Sequence, residues 1–192
     1  MRAGLGNRVL IRSDADWRTR DAAVLATDTD ASPLAITSDG RLGYISACMV
    51  GLSYGGYAAL VAAYKTPAQL RCVVSYTGVT DLPTLVRDFR LYRIGLRGVT
   101  AAHLSIDSDI QRANSPLHKV SGFGVPALLL HADRDTNVLV EQSRTLVAAL
   151  QAAGRPHRYI EQRNGDHYLG VQAHRREYLQ EMAGFLAAHL RK

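Results

Sequence analysis

The chain has 192 residues, 47% of them hydrophobic and 21% charged, and a formal net charge of +6. That length suits one domain with a real core, and the composition excludes a disordered or low-complexity chain. No apolar stretch approaches the ~20 residues that span a bilayer, and the basic residues are scattered, so neither a membrane span nor a nucleic-acid partner is expected.

In chain order, the first 43 residues are the least patterned. MRAGLGNRVLIRSD has a basic start but no apolar core of signal-peptide length, which makes a cytoplasmic protein the expectation. RVLIRSD (8–14) reads as a strand, WRTRDAAVLAT (17–27) as a helix, and DTDASPLAITSDG (28–40) as loop, so at most one strand is expected here. YISACMV (44–50) is a short buried strand ending at Gly51, and residues 54–65 form an Ala-rich helix stopped before Pro67. RCVVSYTG (71–78) is a second strand with a closing glycine. Cys48 and Cys72 form no metal pair or disulfide framework. Each sits in an apolar run and reads as a buried small hydrophobe, which suits a reducing compartment. Residues 80–120 scatter Asp, Pro, Gly and Arg among short apolar pieces, as in a cap of short helices. VPALLLHAD (125–133) is a third buried strand, 139–153 a helix closed by Gly154, and HRYIEQ (157–162) a fourth strand. From His174 to Leu190 a helix repeats Leu179, Met182, Phe185, Leu186 and Leu190 on one face.

Strands alternating with helices predict an α/β protein with a mostly parallel sheet, whose site lies at the carboxyl ends of the strands. Polar clusters stand at those ends: GLSYGG, HADRDTN and RNGDHY. GLSYG matches G-x-S-x-G, a turn that lifts a serine hydroxyl off the sheet between a strand and a helix N-terminus. A serine hydroxyl needs a base, and the base needs an orienting acid. In the chain order Ser, Asp, His, the candidates are Ser53, Asp135 and His167. Asp133 is a rival acid, and Asp166 beside His167 reads as a turn residue. His131, Asp133, Asp135 and His167 match no zinc spacing, so no metal is expected.

These motifs together resemble the catalytic domain of the prolyl-oligopeptidase family of serine peptidases. GLSYGGY is similar to the family's G-x-S-Y-G-G-Y. ANSPLHKV followed by VPALLLHADRDTNVLVEQS is similar to its S-P-L and PxLLxHGxxDxxV…QS segments, and LVAALQAAGRPHRYIEQRNGDHYLG to its helix, Gly-Lys-Pro strand and G-x-x-H loop. The resemblance covers residues 47–191. It implies an α/β-hydrolase fold, three-layered with a mostly parallel sheet, incomplete at its N-terminal side: a poorly matched segment at 1–43 and a catalytic domain at 44–192 with its cap at 80–120. It implies Asp135 as the acid, because Val138 occupies the valine of D-x-x-V. It further implies the Tyr54 backbone N–H as an oxyanion donor, Asn137 as a holder of a substrate carbonyl, and Val138, Val79, Leu82 and Leu85 as the wall of the pocket before the scissile bond. Ala132 replaces the family's glycine of H-G. The family's upstream loop, source of a second oxyanion donor, has no counterpart before Ser53, where the only tyrosine is Tyr44.

The expected function is therefore a serine peptidase acting on a peptide or small ester without a cofactor. A carboxylesterase with the same triad and a truncated, non-catalytic module are the alternatives. A homo-oligomer or a missing upstream domain is the partner expectation.

Overall fold

A computed structural model of the protein describes residues 9–10, 22–36, 42–91 and 107–190. The described strands are β1 (Val9–Leu10), β2 (Ala22–Ile36), β3 (Leu42–Leu52), β4 (Cys72–Tyr76), β5 (Ala127–Ala132) and β6 (His157–Gln162). They form one sheet in that order. The pairs β3–β4, β4–β5 and β5–β6 are parallel, whereas β1–β2 and β2–β3 are antiparallel. The helices are α1 (Tyr54–Lys65), α2 (Leu82–Leu91), α3 (Ser108–Ala113), α4 (Glu141–Ala152) and α5 (Gln172–Leu190), with 3₁₀ turns at Pro67–Gln69 and Pro116–Gly122.

Side chains of a strand alternate between faces, and here the alternation builds two cores. Cys48, Val50, Cys72, Val74, Tyr76, Leu128 and Leu130 point to one face and meet Tyr178, Leu186 and Leu190 of α5. Val73, Ala127 and Leu129 point to the other and meet Ala59, Leu60 and Ala63 of α1 with Leu146 and Leu150 of α4. Helices on both faces of a central sheet give the three-layer α/β-hydrolase architecture. Because β4 and β5 are covered on both sides, their runs are continuously buried and mostly apolar rather than alternating. On α5 the buried stripe is shifted from the expected one: Tyr178 faces the core and Leu179 is exposed. Gly154, with φ 63, ends α4 in the left-handed conformation expected of a C′ glycine.

Three expectations need correction. The helix at 17–27 is not formed where it can be seen, since residues 22–27 belong to β2; residues 17–21 lie outside the described residues. The loop at 28–40 is likewise strand as far as Ile36, so the N-terminal segment contributes two strands rather than at most one. The physical cause is the free edge of β3. Ala22 to Thr27 pair in register with Gly51 to Ser46, and the hydrogen bonds that satisfy this edge outweigh the helical preference of Ala and Leu. The register shifts between Thr27 and Asp30 and again between Asp30 and Ala35, which accommodates Pro33, a residue without an N–H to donate.

The third correction concerns the cysteines. Cys48 and Cys72 are not separate hydrophobes; they are neighbours across β3 and β4 and are bonded as a disulfide, with Cα atoms 4.6 Å apart. The bond withdraws the support that free thiols would lend to a reducing compartment. The cross-link closes a loop with a sequence separation of 24. Such a loop removes about 3.5 kcal/mol of unfolded-chain entropy, equivalent to a thermal midpoint roughly 10 °C higher in a domain of this size. Protein refolded in dithiothreitol is therefore expected to melt that much earlier than oxidised protein, and equal midpoints in thermal scans would refute the assignment.

Candidate active site

The turn after β3 is built by close approach. A Cβ at Gly51 would sit 2.0 Å from the Gly55 carbonyl oxygen, and one at Gly56 would sit 2.8 Å from Gly78 Cα, so α1 leaves the sheet with backbone against backbone. Between Gly51 and Gly55 stands Ser53, at φ 54 and ψ −118, a conformation non-glycine residues rarely adopt. Its N–H donates to the Tyr76 carbonyl at 2.8 Å, and its carbonyl accepts from Tyr57 N–H at 3.0 Å. Ser53 occupies the N-cap of α1, yet its side chain makes no capping hydrogen bond. A serine at this position ordinarily satisfies a helix N–H. Here the hydroxyl is withheld from the backbone, and the first turn of α1 keeps its positive end uncapped by that side chain.

Asp135 follows β5 and is buried. Its Oδ1 accepts from the backbone N–H groups of Asn137 and Val138, each at 2.8 Å. Its Oδ2 lies 2.7 Å from His167 Nδ1. A carboxylate only accepts, so Nδ1 carries the proton, and in the neutral ring the lone pair lies on Nε2. Burial alone would raise the Asp135 carboxyl. The imidazoles of His131 and His167 and the Val138 N–H outweigh that and hold it well below the usual carboxylate range. The structure thus brings Asp135 and His167 together, while Ser53 stands outside this hydrogen-bonded pair. Asp133, the rival acid, instead accepts from Asn164 N–H at 2.6 Å and joins two loops. Asp166 accepts from Tyr168 and Gly170 N–H, the turn role read from sequence.

Residues around the pair hold it in place. His131, fully buried on β5, donates from Nε2 to the Val138 carbonyl at 2.8 Å and accepts at Nδ1 from Ser143 Oγ at 2.7 Å. The same Nε2 lies 3.5 Å from Asp135 Oδ2. The imidazole therefore fastens the Asp135 loop to α4. On the other side, Tyr76 Oη lies 3.2 Å from Gln162 Oε1 and 3.1 Å from the Asp166 carbonyl, tying β4 to the His167 loop. Gln162 donates in turn to the His174 carbonyl and to Glu177 on α5. Sequence reasoning gave no role to Tyr76 or Gln162, and considered His131 only as a metal ligand. For Tyr76 and His131 the signal is a polar group inside a mostly apolar strand, which in a core must find a partner; Gln162, at the end of the polar strand HRYIEQ, carries no such signal. Among the described residues, no group of three or more His, Cys, Asp or Glu side chains is arranged to hold a metal ion.

The expected pocket residues also converge. Val79, Leu82, Leu85 and Val138 are buried in one cluster with Tyr57 packed against it. Gln142 fastens the chain between Val79 and Leu82, accepting from Thr80 and Asp81 N–H at 2.9 and 2.7 Å. Asn137 donates from Nδ2 to Tyr168 Oη at 2.7 Å. No helix among the described residues is long and apolar enough to cross a membrane.

Comparison with known proteins agrees with this architecture. Dipeptidyl peptidase family member 6 of Caenorhabditis elegans is 29% identical over 164 residues, covering 82% of this chain and 22% of the relative. The uncharacterized peptidase YuxL of Bacillus subtilis is 23% identical over 180 residues, covering 90% of this chain and 25% of the relative. The chain therefore spans about a quarter of the length of the curated relatives it matches. Among solved structures, the acylaminoacyl peptidase of Pyrococcus horikoshii superposes with a TM-score of 0.66 at 21% identity, over 76% of this chain and 24% of that one. The puromycin-hydrolyzing peptidase of Mycobacterium tuberculosis gives 0.64 at 24% identity, over 74% and 22%. At these identities the structural likeness speaks for the fold alone. The prolyl oligopeptidase family matches over residues 35–192, beginning within β2, earlier than the motifs alone suggest. The chain belongs to the prolyl oligopeptidase family, and so at family level to the serine hydrolases.

Proposed function

We propose that the chain is the catalytic part of a serine peptidase that cleaves peptide bonds through an acyl-enzyme on Ser53. Ser53 Oγ attacks the carbonyl carbon while His167 Nε2 takes its proton. Asp135 keeps the imidazole in the required tautomer and stabilises its cationic form. The Tyr54 N–H, at the start of α1, donates to the developing oxyanion. The proton returns to the leaving amine, and water releases the acyl group by the same steps in reverse roles. The acyl side chain occupies the wall formed by Val79, Leu82, Leu85 and Val138, a surface that suits an aliphatic side chain. No metal or organic cofactor enters these steps.

The observation that carries this reading is the 2.7 Å Asp135–His167 pair, fixed by two backbone N–H groups, in the same chain as a strained serine that caps nothing. Ser53 and His167 need not touch in the absence of substrate, since catalytic hydrogen bonds commonly tighten only in the Michaelis complex. A carboxylesterase with the same triad is the second reading, favoured by the wholly aliphatic buried pocket cluster. Turnover of an aminoacyl anilide against that of the matching ester separates the two.

A fluorophosphonate probe tests the common core of both readings. The wild type is expected to be labelled and Ser53→Ala to lose all labelling. Labelling that persists in the variant removes Ser53 as nucleophile. A folded wild type that does not label at all supports the non-catalytic module instead.

A further inference from the structure

No large apolar side chain among the exposed described residues is more open to solvent than that of Tyr168, at 77%. Its surroundings are nevertheless closely hydrogen-bonded. Its N–H donates to Asp166 Oδ1 at 2.8 Å. The next residue, Leu169, takes a left-handed φ of 55 and buries its side chain in the core beside α5. Arg175 Nη1 donates to the Leu169 and Gly170 carbonyls at 2.6 and 3.0 Å. The side chain is held as well: Tyr168 Oη accepts from Asn137 Nδ2 at 2.7 Å, and the ring stands edge-on to His167 with centroids 5.1 Å apart.

Ordering an aromatic ring while leaving it in water gains little hydrophobic stabilisation: rotamer freedom is lost and the apolar face stays hydrated. The gain comes when something covers it. Asn137, the residue that bonds the ring's hydroxyl, directly precedes Val138 of the aliphatic cluster, and the ring itself packs against His167. We propose that Tyr168 is a specificity-determining residue of the Ser53 site. Its ring is a platform for an aromatic side chain of the substrate, on the acyl side and one residue beyond the one seated in the pocket. Asn137 is the positioning residue that pins the platform. This rests on the hydrolase reading above and names its substrate class.

The test compares two anilides with the same leaving group and pocket residue, acetyl-Phe-Ala-p-nitroanilide and acetyl-Ala-Ala-p-nitroanilide, alongside fluorophosphonate labelling of each protein. The wild type is expected to prefer the Phe substrate through a lower KM. In Tyr168→Ala the ratio of kcat/KM between the substrates falls about tenfold, as a lost aromatic contact in a covered site predicts. In Tyr168→Phe, which keeps the ring, the ratio stays near that of the wild type. Equal losses on both substrates in Tyr168→Ala, or a ratio that collapses in Tyr168→Phe, overturn the platform. Wild type that labels but shows no Phe preference, including labelling without turnover of either anilide, overturns the platform alone. Wild type that neither labels nor turns over overturns the hydrolase reading and this proposal with it.

Discussion

Asp135→Asn is expected to lower kcat by about 10⁴ on the proposed mechanism, with little change in KM. The substituted amide still accepts at one oxygen from the Asn137 and Val138 N–H groups, so the loop keeps its course. Its NH₂ then faces His167 Nδ1 in place of a carboxylate oxygen. A donor there stabilises the tautomer with its proton on Nε2, and the lone pair that would accept the Ser53 proton is gone. Stability responds too, and its direction follows from the carboxyl, which is held well below its ordinary value in the folded protein. Where a folded-state pKa is depressed, the group's stabilising contribution is present above the unfolded value of about 4 and is lost as pH falls through the folded value. Urea midpoints of the wild type are thus expected to fall with acidification below about pH 4, and the variant to lack this part of the slope. Parallel curves for the two proteins would place the acid sensitivity elsewhere; unchanged kcat would remove Asp135 from the mechanism.

Gly51→Ala is expected to abolish fluorophosphonate labelling and to destabilise the fold by about 3 kcal/mol or more, the upper range for overpacking. The added methyl meets the Gly55 carbonyl oxygen at 2.0 Å and Gly56 N at 2.7 Å, both backbone atoms of the first turn of α1. No rotamer change relieves such a contact. The helix must move away from β3, carrying the Tyr54 N–H with it and releasing the strained angles of Ser53. Chemical denaturation and labelling read the two effects separately. A variant that folds with the wild-type midpoint and labels at the wild-type rate would show that the close approach has no part in forming the site. A Cβ at Gly184 on α5 meets nothing within 4 Å, so Gly184→Ala is the matched control.

The contrast between those two glycines shows what can be read from sequence. Gly51, Gly55, Gly56 and Gly78 punctuate strand and helix patterns, and each pattern has its own period, so the elbow and the succession of strands and helices along the chain were legible. Asp135 and His167 were legible because D-x-x-V follows the apolar run VPALLLHA and the polar turn RNGDHY follows the strand HRYIEQ, at the strand ends where chemistry gathers in such sheets. What was not legible depends on partners distant in sequence. In β2, Ala-rich and Asp/Pro-containing stretches carry helix and loop preferences, and only the unsatisfied edge of β3 makes them a strand. Cys48 and Cys72 meet because β3 and β4 align at that register, which neither apolar run specifies. His131 looks like any core histidine until Ser143 and the Val138 carbonyl are seen on its two nitrogens. Tyr168 gives no periodic signal, since a loop has no period.

The Cys48–Cys72 bond also has a mechanical meaning. It joins β3 and β4 before both strands run on to the end where Ser53 N–H meets the Tyr76 carbonyl. Hydrogen bonds of a parallel pair can shear past one another under load, but a covalent rung cannot. Tension entering β3 from its N-terminal end is shared with β4 at that rung before it reaches the elbow. The serine and the strand end that supports it then move as one body, so a pull on the N-terminal strands shifts Ser53 and the Tyr76 carbonyl together instead of drawing them apart.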